Sequence, residues 1–198
     1  MEAVMGVLLG IGLGAACGFR IFVPLLVASI AIQGGFLTVT PEFAWLGGTP
    51  ALITLSIATL LEIAGYYLPV IDNTLDVLGA PAAVIAGTIL AAGFIGHMDP
   101  MLQWGLAAIA GVGAAGVIHG GMAAIRAAAS ATTGGLGNSA VSTAETVSAS
   151  LVSILACVLP VLAVLLLGAA IYLLVRFAIS LKRKLAQAGT PDKVEVQD

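Results

Sequence analysis

Five long apolar segments, separated by short polar stretches, constrain the fold of this chain more than any other feature of its sequence. A helix that crosses a lipid bilayer needs about 20 largely apolar residues. The segments lie at approximately 3–33, 50–70, 81–96, 101–129 and 139–179. We therefore predict an all-α protein, a polytopic transmembrane helix bundle that forms one domain over residues 1–180.

The composition requires the same environment. Of the 198 residues, 60% are hydrophobic and 9% are charged, and the mean hydropathy is +1.14. A water-soluble domain carries about a quarter charged residues, so this chain cannot cover its surface with polar side chains. The principal partner is the lipid bilayer. A soluble nucleotide-binding enzyme and a disulfide-stapled secreted domain are excluded, and a pI near 5.2 argues against binding to nucleic acid.

The first and last apolar segments are too long for one straight crossing. The first contains Cys17-Gly18-Phe19-Arg20 and then Pro24, and the last is divided by Pro160. Because proline removes a helix hydrogen bond and clashes with the preceding turn, such sites kink or break helices. We expect broken or re-entrant helices near 17–24 and 132–139. An inverted internal repeat would produce such elements at both ends of the chain, but its sequence signal is weak.

Orientation depends on one basic cluster, Lys182-Arg183-Lys184, directly after the last apolar segment. By the positive-inside tendency, this end is cytoplasmic. We expect a multi-pass protein of the cell inner membrane, with a basic and then mixed-charge disordered cytoplasmic tail at 181–198. The sequence leaves open on which side the N-terminus lies.

Glycines recur at intervals of four residues, which places them on one face of a helix. Such faces let helix backbones approach closely in lipid. We predict internal helix packing through them, with homo-oligomerisation as the alternative. The helix-packing glycines are Gly6, Gly10, Gly14, Gly18, Gly116 and Gly120.

Arg20 and Glu62 are the ionisable residues placed deepest in the apolar segments. Each costs roughly 2.5–3.5 kcal/mol to insert, and such residues usually face partners or a water-filled cavity. An Arg20–Glu62 ion pair is the simplest way to reduce both costs. This pair is either purely structural or part of a solute or ion site.

Two further groups of polar residues could contribute to such a site. Asp72 and Asp76 lie four residues apart, which indicates either a solvated interfacial loop or a vestibule that attracts cations. Between Arg126 and Glu145, a glycine-rich stretch ends at Asn138. Irregular backbone at membrane depth must be buried or line a cavity, whereas an ordinary loop lies outside the membrane.

The sequence contains no motif that indicates an enzyme. His97 and His119 are not spaced as metal ligands, and the glycine-rich stretch lacks the Lys-Ser/Thr ending of a phosphate-binding loop. A Gly-x-Ser-x-Gly nucleophile motif is also missing. We expect a protein that is not an enzyme, with no cofactor and no metal site.

Three motifs together resemble a known family. They are Ala16-Cys17-Gly18-Phe19-Arg20-Ile21-Phe22-Val23-Pro24-Leu25-Leu26, then Glu62 with Tyr66-Tyr67-Leu68-Pro69-Val70-Ile71-Asp72-Asn73-Thr74-Leu75-Asp76, and Thr132-Thr133-Gly134-Gly135-Leu136-Gly137-Asn138. The chain is similar, over nearly its whole length, to the bacterial polytopic membrane family catalogued as domain of unknown function 4126. The resemblance implies no activity, but it implies that these motifs belong together.

The expected function is translocation of a small solute or ion through a polar site at the broken helices. Helix ends and backbone dipoles would form this site, and Glu62 or Glu145 would couple it to protons. The alternative is a scaffold or lipid-interacting protein whose charges form internal ion pairs. The residues expected along the path are Arg20, Glu62, Asp72, Asp76, Arg126, Asn138 and Glu145.

Overall fold

The structure, a computed structural model, describes residues 2–67, 69–96 and 98–188. This part of the chain is mainly helical and contains no β-strand, which confirms the all-α prediction. The α-helices are α1 (Glu2–Ala16), α2 (Phe22–Gln33), α3 (Thr49–Gly65), α4 (Pro69–Phe94), α5 (Pro100–Ala108), α6 (Gly116–Thr133), α7 (Asn138–Val158) and α8 (Pro160–Ala188). A 3₁₀ helix at Pro41–Gly47 precedes α3, and a π-helical segment at Ile109–Ala115 joins α5 to α6.

Three helical stretches of the described chain are long and apolar enough to cross a membrane. They are Val77–Phe94, Pro100–Thr133 and Asn138–Val158. The 3₁₀ helix and α3, which meet at an angle of 63°, give a fourth if they form one broken span. These lengths and compositions identify a membrane protein.

Helix breaks occur at both predicted sites. α1 ends at Ala16 and α2 begins at Phe22, while α6 ends at Thr133 and α7 begins at Asn138. Pro160 also divides the last apolar segment, because α7 ends before it and α8 begins with it. Pro24 lies within the first turn of α2 rather than at the break, where a proline is tolerated since the first-turn N–H groups have no partner within the helix.

The third apolar segment is longer in the structure than in the sequence prediction. We placed its start at residue 81, but α4 begins at Pro69 and continues through Pro81. Asp72 and Asp76 therefore lie in the first half of a helix and not in a loop. The prediction failed because proline is a weaker barrier inside a membrane helix, where neighbouring groups can satisfy the carbonyl that it leaves without a donor.

α1 packs along α4 through its glycines. A Cβ atom added at Gly10 would lie 2.9 Å from the carbonyl oxygen of Ala91, and one added at Gly14 would lie 2.8 Å from that of Gly87. Gly6 makes a similar approach near the end of α4. The close contact between backbones supports the internal-packing prediction for this face of α1.

The remaining glycines of the predicted packing set differ in how closely they approach other helices. Gly18 touches the π segment, because an added Cβ would lie 2.5 Å from the carbonyl oxygen of Ala115. Gly116 approaches the side chain of Val84 at 3.4 Å, whereas nothing lies within 4 Å of an added Cβ at Gly120. Homo-oligomerisation through the face that carries Gly116 and Gly120 stays a prediction.

α8 continues past the last apolar segment to Ala188. It therefore includes residues 181–188 of the segment that we assigned to a disordered tail. Residues 189–198 lie outside the part of the chain that the structure describes.

Candidate functional site

The break between α1 and α2 is buried. Cys17 is fully buried and Arg20 is 1% exposed. The first N–H groups of a helix have no acceptor within the helix, so a buried helix start needs one from elsewhere. The carboxylate of Glu62 on α3 supplies it, accepting hydrogen bonds from the backbone N–H of Ile21 at 2.8 Å and of Phe22 at 3.0 Å.

The Arg20 side chain crosses from this break to α7. Its Nη2 donates to the side-chain oxygen of Ser142 at 2.5 Å and to the Ser142 carbonyl at 3.0 Å, and its Nε donates to Thr146 Oγ1 at 3.2 Å. The carboxylate of Glu145 lies 3.7 Å from the same Nη2. The break is thereby tied to a helix more than 120 residues later in the chain.

Glu145 also binds the second buried arginine. Arg126 on α6 donates through Nη2 to both carboxylate oxygens, at 2.6 and 2.7 Å, and through Nε to Oε1 at 3.2 Å. The Glu145 side chain is fully buried. One carboxylate therefore serves two guanidinium groups, which is the kind of strong, charge-assisted arrangement that buried arginines require.

Tyr66, directly after α3, lies against both arginines. The Arg20 guanidinium carbon is 3.9 Å from the centre of the Tyr66 ring, and the Arg126 guanidinium carbon is 4.5 Å from it. Tyr66 is 5% exposed. Both distances lie within the range of cation–π attraction, which gains strength where water is excluded.

These residues form one buried polar cluster, which we define as Arg20, Glu62, Tyr66, Arg126 and Glu145. Its two arginines and two glutamates sum to zero formal charge. The buried break and three helices, α3, α6 and α7, contribute to it, so the cluster connects parts of the chain that are distant in sequence. A neutral, hydrogen-bonded arrangement is what makes four ionisable groups tolerable inside an apolar bundle.

The expected Arg20–Glu62 ion pair is not the one that the described residues form. Arg20 pairs with Glu145, while Glu62 binds the two N–H groups that follow Arg20. The positive charges of Arg20 and Arg126 attract the Glu62 carboxylate electrostatically, but neither arginine forms a described salt bridge with it. Charge alone pairs these two residues, whereas in the fold the amide donors at the start of α2 compete for the same carboxylate.

A cavity of about 530 Å³ lies beside the cluster, between the start of α2, the end of α3 and the first half of α4. Glu62 and Tyr66 line one side of it. The other lining residues that the structure describes are apolar, and nearly half of the described lining has little or no side chain, which leaves the space open. These small residues are Ala58, Ala64, Gly65, Gly79 and Ala82.

The second break, between α6 and α7, lies at the surface and lines no part of this cavity. Gly134 and Gly135 have positive φ angles of 62° and 93°, and Leu136 is 86% exposed. The side chain of Asn138 exchanges hydrogen bonds with Ser130, at 2.9 and 3.1 Å. This geometry favours the ordinary extramembrane turn over the cavity-lining segment.

Two further residues of the expected path, Asp72 and Asp76, stay predictions. Asp72 and Asp76 lie on α4 near the cavity wall residue Leu75, but their side chains lie outside the described part of the structure. His97 also lies outside the described residues. Of the seven residues that we expected along the path, the described contacts bring together Arg20, Glu62, Arg126 and Glu145.

Sequence reasoning missed the residues that connect the cluster, namely Tyr66, Ser142 and Thr146. The sequence did contain a signal for Ser142. The buried residues of α7 recur at helical spacing and are small or polar, which is typical of a face turned towards the protein interior. They are Ser142, Glu145, Ala149, Ser153 and Ala156.

Comparison with known proteins gives a family but no activity. No curated protein and no solved structure matches the chain. A family model does match, and it covers residues 7–180, which includes every residue of the polar cluster and the cavity. The chain therefore belongs to the family described as Domain of unknown function (DUF4126).

Proposed function

We propose that this protein translocates a small solute or ion across the bacterial inner membrane, with its C-terminus in the cytoplasm and no enzymatic activity. The observation that carries the proposal is the placement of Glu62, a buried carboxylate that both lines the cavity and holds the start of α2. A ligand in the cavity could therefore act directly on a helix end.

The proposed mechanism uses both roles of Glu62, which lines the cavity and accepts hydrogen bonds from the start of α2. While it accepts hydrogen bonds from Ile21 and Phe22, the start of α2 is fixed against α3. A proton or a solute that draws the carboxylate away leaves these N–H groups without their acceptor, and the helix start gains freedom to shift. A ligand that prefers the shifted state then changes the populations of the two states.

A scaffold function is the second candidate, and one observation favours it. Glu145 lies within ion-pair distance of both buried arginines, so an internal carboxylate balances charge there without any solute. On this reading, the cluster only fixes the arrangement of α3, α6 and α7. Substitutions in the cluster would then reduce stability, and the wild-type protein would show no flux.

Flux measurements on the full chain in proteoliposomes distinguish these candidates. Uptake of labelled organic cations, organic anions, amino acids and sugars is measured under imposed proton and sodium gradients. Glu62→Gln keeps the size of the side chain, and Glu42→Gln, at an exposed carboxylate of the 3₁₀ helix, is its matched control.

The transport proposal expects wild-type flux for at least one class of solute. Glu62→Gln should reduce this flux at least tenfold at an unchanged amount of inserted protein, and Glu42→Gln should leave it unchanged. Absence of wild-type flux for every solute, combined with a loss of melting temperature in Glu62→Gln, would reject transport and support the scaffold.

A further inference from the structure

The cavity beside the polar cluster has the dimensions of a site for a small organic molecule. Its volume of about 530 Å³ falls within the roughly 300–1,000 Å³ that is usual for such sites. Large apolar side chains, including Phe22 and Leu75, form much of its wall, and small residues create its depth. A ligand that fills it must present a largely apolar surface.

Glu62 determines the charge that this ligand should carry. Among the lining residues whose side chains the structure describes, it is the only charged one. Each of its carboxylate oxygens accepts one backbone N–H bond, and a carboxylate has about four acceptor positions, so acceptor capacity remains. Within the described chain, the arginines form their ion pairs with Glu145 and not with Glu62.

An anion is disfavoured by the same arrangement. Neither Arg20 nor Arg126 lines the cavity, so an anion would meet the Glu62 carboxylate without a compensating cation in the wall. Like charges are strongly unfavourable in an apolar surrounding where water does not screen them. A cation, in contrast, would gain the attraction of Glu62 and a contact with the ring of Phe22.

The cavity opens towards the apolar surface of the bundle. Leu61 on α3 and Leu78 on α4 both line it, and they are 68% and 60% exposed. Leu78 lies in the candidate membrane span Val77–Phe94, and α3 belongs to the bent candidate span. The opening between these two helices therefore faces lipid, which admits a ligand that is itself soluble in the bilayer.

From these three properties we infer that the cavity binds a lipophilic cation, with the Glu62 carboxylate as its counter-charge. The inference rests on the proposed function and deepens it by naming the substrate class. A proton on Glu62 removes the counter-charge, so protons and the cation compete for one group. Such competition is what an exchange of protons for cations requires.

Equilibrium binding to the purified full chain in detergent tests the inference without any need for flux. The probe is tetraphenylphosphonium, measured by dialysis against protein-free micelles so that partition into detergent is subtracted. Tetraphenylborate has nearly the same shape and the opposite charge. We expect saturable binding of the cation with one equivalent per chain, and at least tenfold weaker binding of the anion.

Two alanines on α4 provide a matched pair of variants. Ala82 lines the cavity, whereas Ala80 is exposed on the same helix and does not line it. Ala82→Leu fills the space and should weaken cation binding at least tenfold, while Ala80→Leu should leave it unchanged. Glu62→Gln should weaken it by a similar factor, and if that variant does not fold, the alanine pair alone decides.

The outcomes separate this inference from the proposed function. Equal binding of the phosphonium and the borate, or equal effects of Ala80→Leu and Ala82→Leu, would overturn the cation site. Flux of another solute without cation binding would keep transport and reject this site. Cavity-dependent binding without any flux would keep the site and reject translocation.

Discussion

The two helix breaks of this protein solve the same chemical problem in opposite ways. Each interrupts a helix and leaves backbone groups without partners inside it. At Cys17–Ile21 the break is buried, and the carboxylate of Glu62 accepts the N–H groups that begin α2. At 134–137 the break is exposed, and glycines with positive φ angles reverse the chain at the surface.

The difference shows what burial demands of a broken helix. In the exposed turn, Thr133 Oγ1 accepts the N–H of Gly137 at 2.8 Å and Asn138 exchanges hydrogen bonds with Ser130, so these described bonds join neighbouring residues. The buried break takes its described side-chain hydrogen bonds from α3 and α7, because water has little access to it. A break that depends on distant elements can respond to events at those elements.

The largest effect should follow from removal of the carboxylate that both arginines share. Glu145→Ala leaves two buried guanidinium groups without the carboxylate that they share, and we expect a loss of about 3–5 kcal/mol in the free energy of unfolding. Thermal or chemical unfolding of the purified protein in detergent measures it. A loss below about 1 kcal/mol would show that the buried cluster does not support the first break.

A smaller loss in the free energy of unfolding should follow when the group that accepts hydrogen bonds from the start of α2 is changed. Glu62→Gln replaces charge-assisted hydrogen bonds to Ile21 and Phe22 by at most one good neutral bond, because the amide nitrogen of glutamine is a donor. Bonds to charged groups contribute about 1.5–3 kcal/mol, so part of this amount should be lost. Hydrogen exchange at the first residues of α2 should rise, while exchange at the start of α7 should not change.

Asparagine at one glycine of each break should separate the stability cost of a close steric contact from the cost of a left-handed backbone conformation. Gly18→Asn should cost about 1–3 kcal/mol or more, because the new side chain meets the Ala115 carbonyl and the Ile118 side chain. Gly134→Asn should cost less than about 0.5 kcal/mol, since asparagine accepts the left-handed conformation and nothing lies within 4 Å of the added Cβ. Similar losses in melting temperature at both positions would contradict the contrast.

The smallest effect is expected at the tip of the exposed turn. Leu136→Ser alters a side chain that is 86% exposed, and changes at such positions usually stay within about 0.5 kcal/mol. Melting temperature and any measured flux should both match those of the wild type. A clear loss of either would indicate that the turn contacts a partner and is not merely a connection.

Sequence patterns predicted the helical class, the membrane environment and both breaks, because each depends on properties that act locally. Apolar length, proline and glycine are read within a few turns of helix. The pattern also identified Arg20, Glu62, Arg126 and Glu145 as the ionisable residues that an apolar bundle must accommodate. It misjudged the start of α4, since Pro81 does not end that helix.

The tertiary structure alone decided how these residues are partnered. In sequence, Arg20 and Glu62 are two deep opposite charges, and pairing them is the simplest solution. In the fold, α7 brings Ser142, Thr146 and Glu145 to Arg20, and the start of α2 brings two amide donors to Glu62. Hydrogen bonds form between groups that packing brings together, and the sequence determines only which charges need partners.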